Sequence, residues 1–360
     1  MPLLSLSNYK CFWGTLSALF TLSFIFIANS TTLQTQTTPK PCNNPYKELN
    51  LILNPNGTVS RQNKPPQSPP SPDPTLPNLV LSKDLTINQS KGTWARIYLP
   101  RKSLDQNYKL PLIVFFHGGG FIFQSAASTI FHEFCFNMAN DVVAVIASIE
   151  YRLAPEHRLP AAYDDAVEAL HWIRTNHGDS WLTKYVDYSN VFLMGSSAGG
   201  NIAYNAGLRV AATNDQDYKI IKGLILVQPF FGGTHRTGSE LRLANSPYLS
   251  LCTNDMLWKL SLPVGVNRDH KYCNPMVRDG FEGLEKIERL KWWVLVTGCS
   301  GDPLVDRQME LVKLMKKKRV KVVGHFTAGD YHGVQDKDPL KAKQLYGVLK
   351  SLISKLPSDD

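Results

Sequence analysis

Between residues 93 and 354, short apolar runs of strand length alternate with helix-patterned stretches of ten or more residues, and this rhythm restricts the possible folds more than any other feature. The strand-like runs lie at 93–99, 112–116, 142–149, 190–194, 223–227, 292–297 and 320–325, and the helical patterns at about 126–138, 161–174, 201–212, 304–317 and 339–354. A helix between successive strands returns the chain to the starting edge, so the strands lie parallel and the helices cover both faces. The run 142–149, apolar but for Ser148, suits a strand buried on both sides. An α/β protein with a mostly parallel central sheet is therefore expected.

Two regions break the rhythm. Residues 230–283 are rich in Gly, Pro, Asn and aromatic residues and read as an inserted cap of short helices over the carboxyl ends of the strands. Residues 41–77 hold the turn signal Asn54-Pro55-Asn56-Gly57 and a Pro-rich stretch, 64–77, that no helix can tolerate. They read as a second cap element, so one domain is expected over 41–360. Residues 1–40 read as a leader and a Thr/Gln-rich connector. The apolar run 11–28, with Lys10 before it and Asn29-Ser30-Thr31-Thr32 after it, has the form of a signal peptide or signal anchor. It would be the protein's one membrane attachment if retained.

The formal net charge is +9, yet the basic residues are dispersed. Their densest run, Lys316-Lys317-Lys318-Arg319, ends a predicted helix, where cations complement the helix dipole, so nucleic acid is not an expected partner. The six cysteines include no C-x-x-C pair and no His-rich spacing, so zinc and thioredoxin-type chemistry are not indicated.

Chemistry enters with Gly195-Ser196-Ser197-Ala198-Gly199, a G-x-S-x-G elbow between a strand-like and a helix-like run. Such a turn places its central residue, Ser197, as a nucleophile. Upstream, His117-Gly118-Gly119-Gly120-Phe121 directly follows a strand, where consecutive glycine N–H groups point at a developing oxyanion. His117, Gly118, Gly119 and Ala198 are the expected oxyanion residues. In this strand–turn–helix arrangement the acid and the base follow the nucleophile. Asp302 sits in the loop after the 292–297 strand, with Asp306 a rival one turn into the next helix, and His332 sits in the loop after the 320–325 strand. His117 belongs to the oxyanion turn, His171 and His177 precede the nucleophile, and His325 lies within a strand. The expected catalytic residues are thus Ser197, Asp302 and His332, with no metal or organic cofactor. Gly120, Phe121, Phe123 and Ser196, with aromatic residues of 230–283, are expected to line an apolar pocket. Arg152, after the 142–149 strand, is expected to pair with Asp164 or Asp165.

Taken together, residues 117–121, 151–160 and 195–200, Asp302-Pro303-Leu304 and His332-Gly333 resemble the plant carboxylesterases of the hormone-sensitive-lipase-like α/β hydrolases, nearest to the carboxylesterase-1-like enzymes. The resemblance runs from about residue 44 to the C-terminus. It implies the α/β-hydrolase fold with an eight-stranded sheet, hydrolysis of short-chain or small aromatic esters, and a cytoplasmic location unless 11–28 acts as a signal. Val334 departs from related lipases, which often carry a bulky aromatic there. Two other activities stay open on the same resemblance. One is a gibberellin-receptor-like binding protein, which His332 argues against, because such receptors lack the catalytic histidine. The other is a lyase, cyclase or esterase of alkaloid or other specialised metabolism, and a dehydratase of that kind carries Thr where this chain has Ser197.

Overall fold

In the chain's central strand both sets of alternating side chains are apolar, and each set belongs to a different core. A computed structural model describes residues 40, 42–106, 108–176, 178–213, 218 and 220–354; the leader 11–28, Cys11 and His177 lie outside them. The strands are β1 (Leu51–Leu53), β2 (Val59–Arg61), β3 (Val80–Asn88), β4 (Thr93–Pro100), β5 (Leu110–Phe116), β6 (Val145–Glu150), β7 (Val186–Ser196), β8 (Ile221–Val227), β9 (Trp293–Cys299) and β10 (Lys321–Thr327). The helices are α1 (Pro45–Glu48), α2 (Thr129–Met138), α3 (Ala161–Thr175), α4 (Ser180–Tyr185), α5 (Ala198–Ala212), α6 (Gly238–Arg242), α7 (Leu251–Ser261), α8 (Leu284–Arg289), α9 (Val305–Lys317), α10 (Val334–Lys337) and α11 (Pro339–Ile353).

Leu112, Val114 and Phe116 of β5 belong to the same buried core as Ala166 of α3, Ile202 of α5 and Leu311 of α9. Ile113 and Phe115, one residue out of phase, pack with Phe131 and Phe134 of α2 and Leu345 and Leu349 of α11. Each such fully buried side chain contributes roughly 1.5–3 kcal/mol of transfer free energy. An eight-stranded sheet results, in the order β10-β9-β8-β7-β5-β6-β4-β3. It is parallel from β10 to β6, and β4 runs antiparallel to both neighbours. The expected fold class is the one observed.

Two details differ from the sequence reading. β3 has no counterpart among the strand-like runs, because as an edge strand it exposes alternate residues and shows no continuous apolar run. β6 begins at Val145 and not at 142, since residues Ala139–Val143 form a π-helical turn with Val143 at φ +66°. An apolar run that passes from a helix end into a strand has no periodicity to mark the boundary.

Parallel strands deliver the loops after β5, β7, β9 and β10 to one edge of the sheet. The N-terminal segment is tied near that edge. Arg61 of β2 donates from Nε to Ile122 O at 2.6 Å and forms an ion pair with Glu156 at 2.8 Å. Cys42 is disulfide-bonded to Cys252 at the start of α7, a pairing that separates the two residues by 210 positions and that no spacing rule reveals. Arg152 pairs with Asp165 at 2.7 Å, while Asp164 is taken by Arg209 at 2.6 Å.

Candidate active site

The chain must turn from β7 into α5 within one residue, and Ser197 absorbs that turn at φ +54°, ψ −115°. A residue with a Cβ held there costs of order 1–3 kcal/mol, so the surroundings have to enforce it. They do so through both backbone groups: Ser197 N–H donates to Val227 O at 2.9 Å, and Phe230 N–H donates to Ser197 O at 2.9 Å. Close packing does the rest. A Cβ on Gly199 would sit 1.9 Å from Phe116 O, so only glycine lets α5 approach β5 this closely.

The Ser197 hydroxyl lies 2.8 Å from His332 Nε2, and His332 Nδ1 lies 3.0 Å from Asp302 Oδ2. A carboxylate beside Nδ1 assigns the proton to that nitrogen and leaves Nε2 as the acceptor facing Ser197. Asp302 is 0% exposed, and its charge is matched by further donors: Leu304 N–H to Oδ1 at 2.9 Å and Gln308 Nε2 to Oδ2 at 2.8 Å. The rival Asp306 is occupied elsewhere, accepting from Ser239 N–H at 2.7 Å. Ser197 and His332 are only 9% and 8% exposed.

The glycine turn abuts the serine: a Cβ on Gly118 would lie 3.4 Å from Ser197 Cβ. Gly119 has φ +111°, and a Cβ there would strike Phe123 O at 2.3 Å. Among the described residues, the N–H groups of Gly118, Gly119 and Ala198 enter no loop or turn hydrogen bond. Ala198 N–H opens α5, where the helix dipole favours negative charge, and the two glycine N–H groups come from the loop after β5 that abuts Ser197, an arrangement suited to a developing negative charge.

Residues 113–336 match a family model described as alpha/beta hydrolase fold. Over 321 residues the chain is 50% identical to carboxylesterase 20 of Arabidopsis thaliana, covering 88% of this chain and 98% of that one. The chain belongs to the plant carboxylesterases of the α/β-hydrolase fold. This α/β hydrolase is also 42% identical over 318 residues to a 3-O-acetylpapaveroxine carboxylesterase of Papaver somniferum, covering 86% of this chain and 99% of that one. Among solved structures it resembles an esterase of Pyrobaculum calidifontis, with a TM-score of 0.64 and 27% identity over 75% of this chain and 85% of that chain. It is a carboxylesterase-type hydrolase, a class that acts on small-molecule carboxylic esters.

Several expected site residues of this carboxylesterase do other work. The His117 ring is fully buried and stacked on Tyr151 at 4.3 Å, with Nδ1 2.8 Å from Gly118 O. Burial pushes it down to about 4, so the neutral ring shapes the glycine turn without offering a charge. Ser196 does not line the pocket, because its hydroxyl donates to Asp336 Oδ2 at 2.8 Å and it is 1% exposed. Phe121 does not face open space either: it is 1% exposed and packs in the core against Phe230 and Trp258, with ring centroids 6.0 and 5.5 Å away. Gly120 is buried, with Leu257 of α7 filling the space where its Cβ would be. Phe123 is half-buried against the same core. A cleft of about 640 Å³ beside α7, lined by Tyr46, Met256, Leu260 and Val264, is bordered by none of Ser197, Asp302 or His332. Among the described residues no cluster of three or more His, Cys, Asp or Glu is placed to hold a metal ion.

Sequence reasoning missed Gln228, Gln308 and Asp336, all three gathered around the serine–histidine–aspartate chain. For Gln228 a signal existed, a lone amide between Val227 and Pro229-Phe230 at the end of an apolar run. Nothing comparable marks Asp336 in a polar stretch.

Proposed function

We propose that this hydrolase cleaves small-molecule esters through an acyl-enzyme on Ser197. The observation that carries the reading is the hydrogen-bonded chain from Ser197 Oγ to His332 Nε2 at 2.8 Å and from His332 Nδ1 to Asp302 at 3.0 Å. His332 takes the Ser197 proton as Oγ bonds to the ester carbonyl carbon, and Asp302 holds the imidazole tautomer and stabilises the imidazolium. The electron pair displaced onto the carbonyl oxygen is met by the N–H groups of Gly118, Gly119 and Ala198, each worth about 3 kcal/mol in the transition state. Collapse breaks the carbon–oxygen bond to the alcohol, which leaves with the proton from His332. Water repeats the sequence on the acyl-enzyme and releases the acid. Residues 42–77 and 230–283 act as the cap over this edge of the sheet.

Labelling with an organophosphonate followed by peptide mapping tests the assignment. Modification is expected on Ser197 alone, and Ser197→Ala should lose turnover of p-nitrophenyl acetate. A folded protein in which Ser197 stays unlabelled, or an alanine variant with undiminished turnover, refutes it. The 42% identity to the 3-O-acetylpapaveroxine carboxylesterase favours an O-acetylated specialised metabolite of the alkaloid class as substrate. Mass analysis of the products from acetylated alkaloids and simple acetates separates plain hydrolysis from hydrolysis followed by rearrangement.

A further inference from the structure

Gln228 follows β8 in a left-handed conformation, φ +42°, and is 0% exposed. Its side-chain amide closes a peptide-like pair around His332. Oε1 accepts from Gly333 N–H at 2.7 Å, and Nε2 donates to Tyr331 O at 3.2 Å, so the residues on either side of His332 are both held. The same Nε2 lies 3.1 Å from Cys299 Sγ, at the end of the strand that leads to Asp302. The adjoining backbone grips the serine, since Val227 O and Phe230 N–H bind Ser197 N–H and O. The loop carrying His332 needs such a tether. It lies between β10 and α10 with Gly329, Asp330 and Gly333 all at positive φ, and neither helix nor strand fixes the position of residue 332.

We propose that Gln228 is a positioning residue that sets the distance from His332 to Ser197, a role that rests on the acyl-enzyme reading above. Its carboxamide ties the base loop to the segment that holds the nucleophile, so the two move as one unit. A misplacement of about 1 Å in a reacting pair typically costs about a hundredfold in rate.

Gln228→Met keeps the length and apolar volume of the side chain and removes its hydrogen bonds to Gly333, Tyr331 and Cys299. With the full chain and p-nitrophenyl acetate, kcat per folded molecule is expected to fall about a hundredfold while KM changes little. The downfield proton resonance of the His332–Asp302 pair should broaden or disappear, which lost stability alone would not cause in the folded fraction. Gln228→Glu retains the acceptor for Gly333 and should lose about tenfold; it decides the matter if the Met variant does not fold. Wild-type kcat in either folded variant, or a rate loss fully accounted for by unfolded protein, overturns the proposal. Ser197→Ala and His332→Ala run beside them: if those two keep turnover, the acyl-enzyme reading has failed independently of Gln228.

Discussion

Oδ2 of Asp302 is shared between His332 Nδ1 at 3.0 Å and Gln308 Nε2 at 2.8 Å, whereas Asp306, four residues on, is bound to Ser239 N–H of the insert. Two carboxylates one helical turn apart therefore face opposite tasks. Asp302→Asn should lower kcat by about 10³–10⁴, because an amide does not hold the histidine tautomer as a carboxylate does. Asp306→Ala should leave kcat unchanged and lower stability by about 1–3 kcal/mol through the lost charged acceptor. Steady-state kinetics and urea denaturation on both variants distinguish the two; equal kinetic losses would reverse the assignment.

Gly119→Ala tests the oxyanion turn. With φ at +111° and Phe123 O 2.3 Å from the new Cβ, the turn has to shift, and the N–H proposed as an oxyanion donor shifts with it. The expected loss is about 10²–10³ in kcat. A variant that folds and hydrolyses p-nitrophenyl acetate at the parent rate would remove Gly119 from the oxyanion site.

Asp336 carries a pH signature. Burial, partly offset by the Ser196 hydroxyl bond and by the neighbouring His332 and Lys337, raises its carboxyl from 3.8 to about 6. The native state then binds more protons than the unfolded chain between those values, so stability falls as pH rises through this window and stays lower above it. Asp336→Asn should remove that slope and gain about 2–3 kcal/mol relative to the parent above pH 6, with no gain below pH 4. Thermal melts across pH 3.5 to 7.5 measure the difference, and parallel curves for the two proteins would contradict it.

The Cys42–Cys252 bond anchors the N-terminal segment to α7, which also supplies Leu257 against Gly120. A non-reducing peptide digest should contain the 42–252 cross-link. Cys42→Ser should lower stability by about 2–4 kcal/mol, since the bond closes a loop of 210 residues in the unfolded chain. Identical melting temperatures with and without reductant would argue against the bond.

Much of this was readable along the chain. The alternation of apolar runs and helical patterns led to the parallel sheet, and small residues around Ser197 led to the elbow, because both depend on neighbours in sequence. β3 leaves no mark in the sequence because an edge strand is half solvated, and the start of β6 is hidden because one apolar run spans the end of a helix and the strand. Phe121 and Ser196 look like pocket residues by position, yet Trp258 and Asp336, far away in the chain, claim their side chains.

Residue chemistry and chain order alone decided the fold class, the strand–turn–helix elbow at Ser197, and which aspartate and histidine follow it. Only folding decided the rest: that Gln228 spans the loop of His332, that Gln308 supports Asp302, that the half-buried Asp336 accepts from Ser196, and that Cys42 meets Cys252. The physical reason is range. Backbone conformation and apolar periodicity are set within a few residues, whereas a buried hydrogen bond or a disulfide depends on which loops the sheet order brings to the same edge.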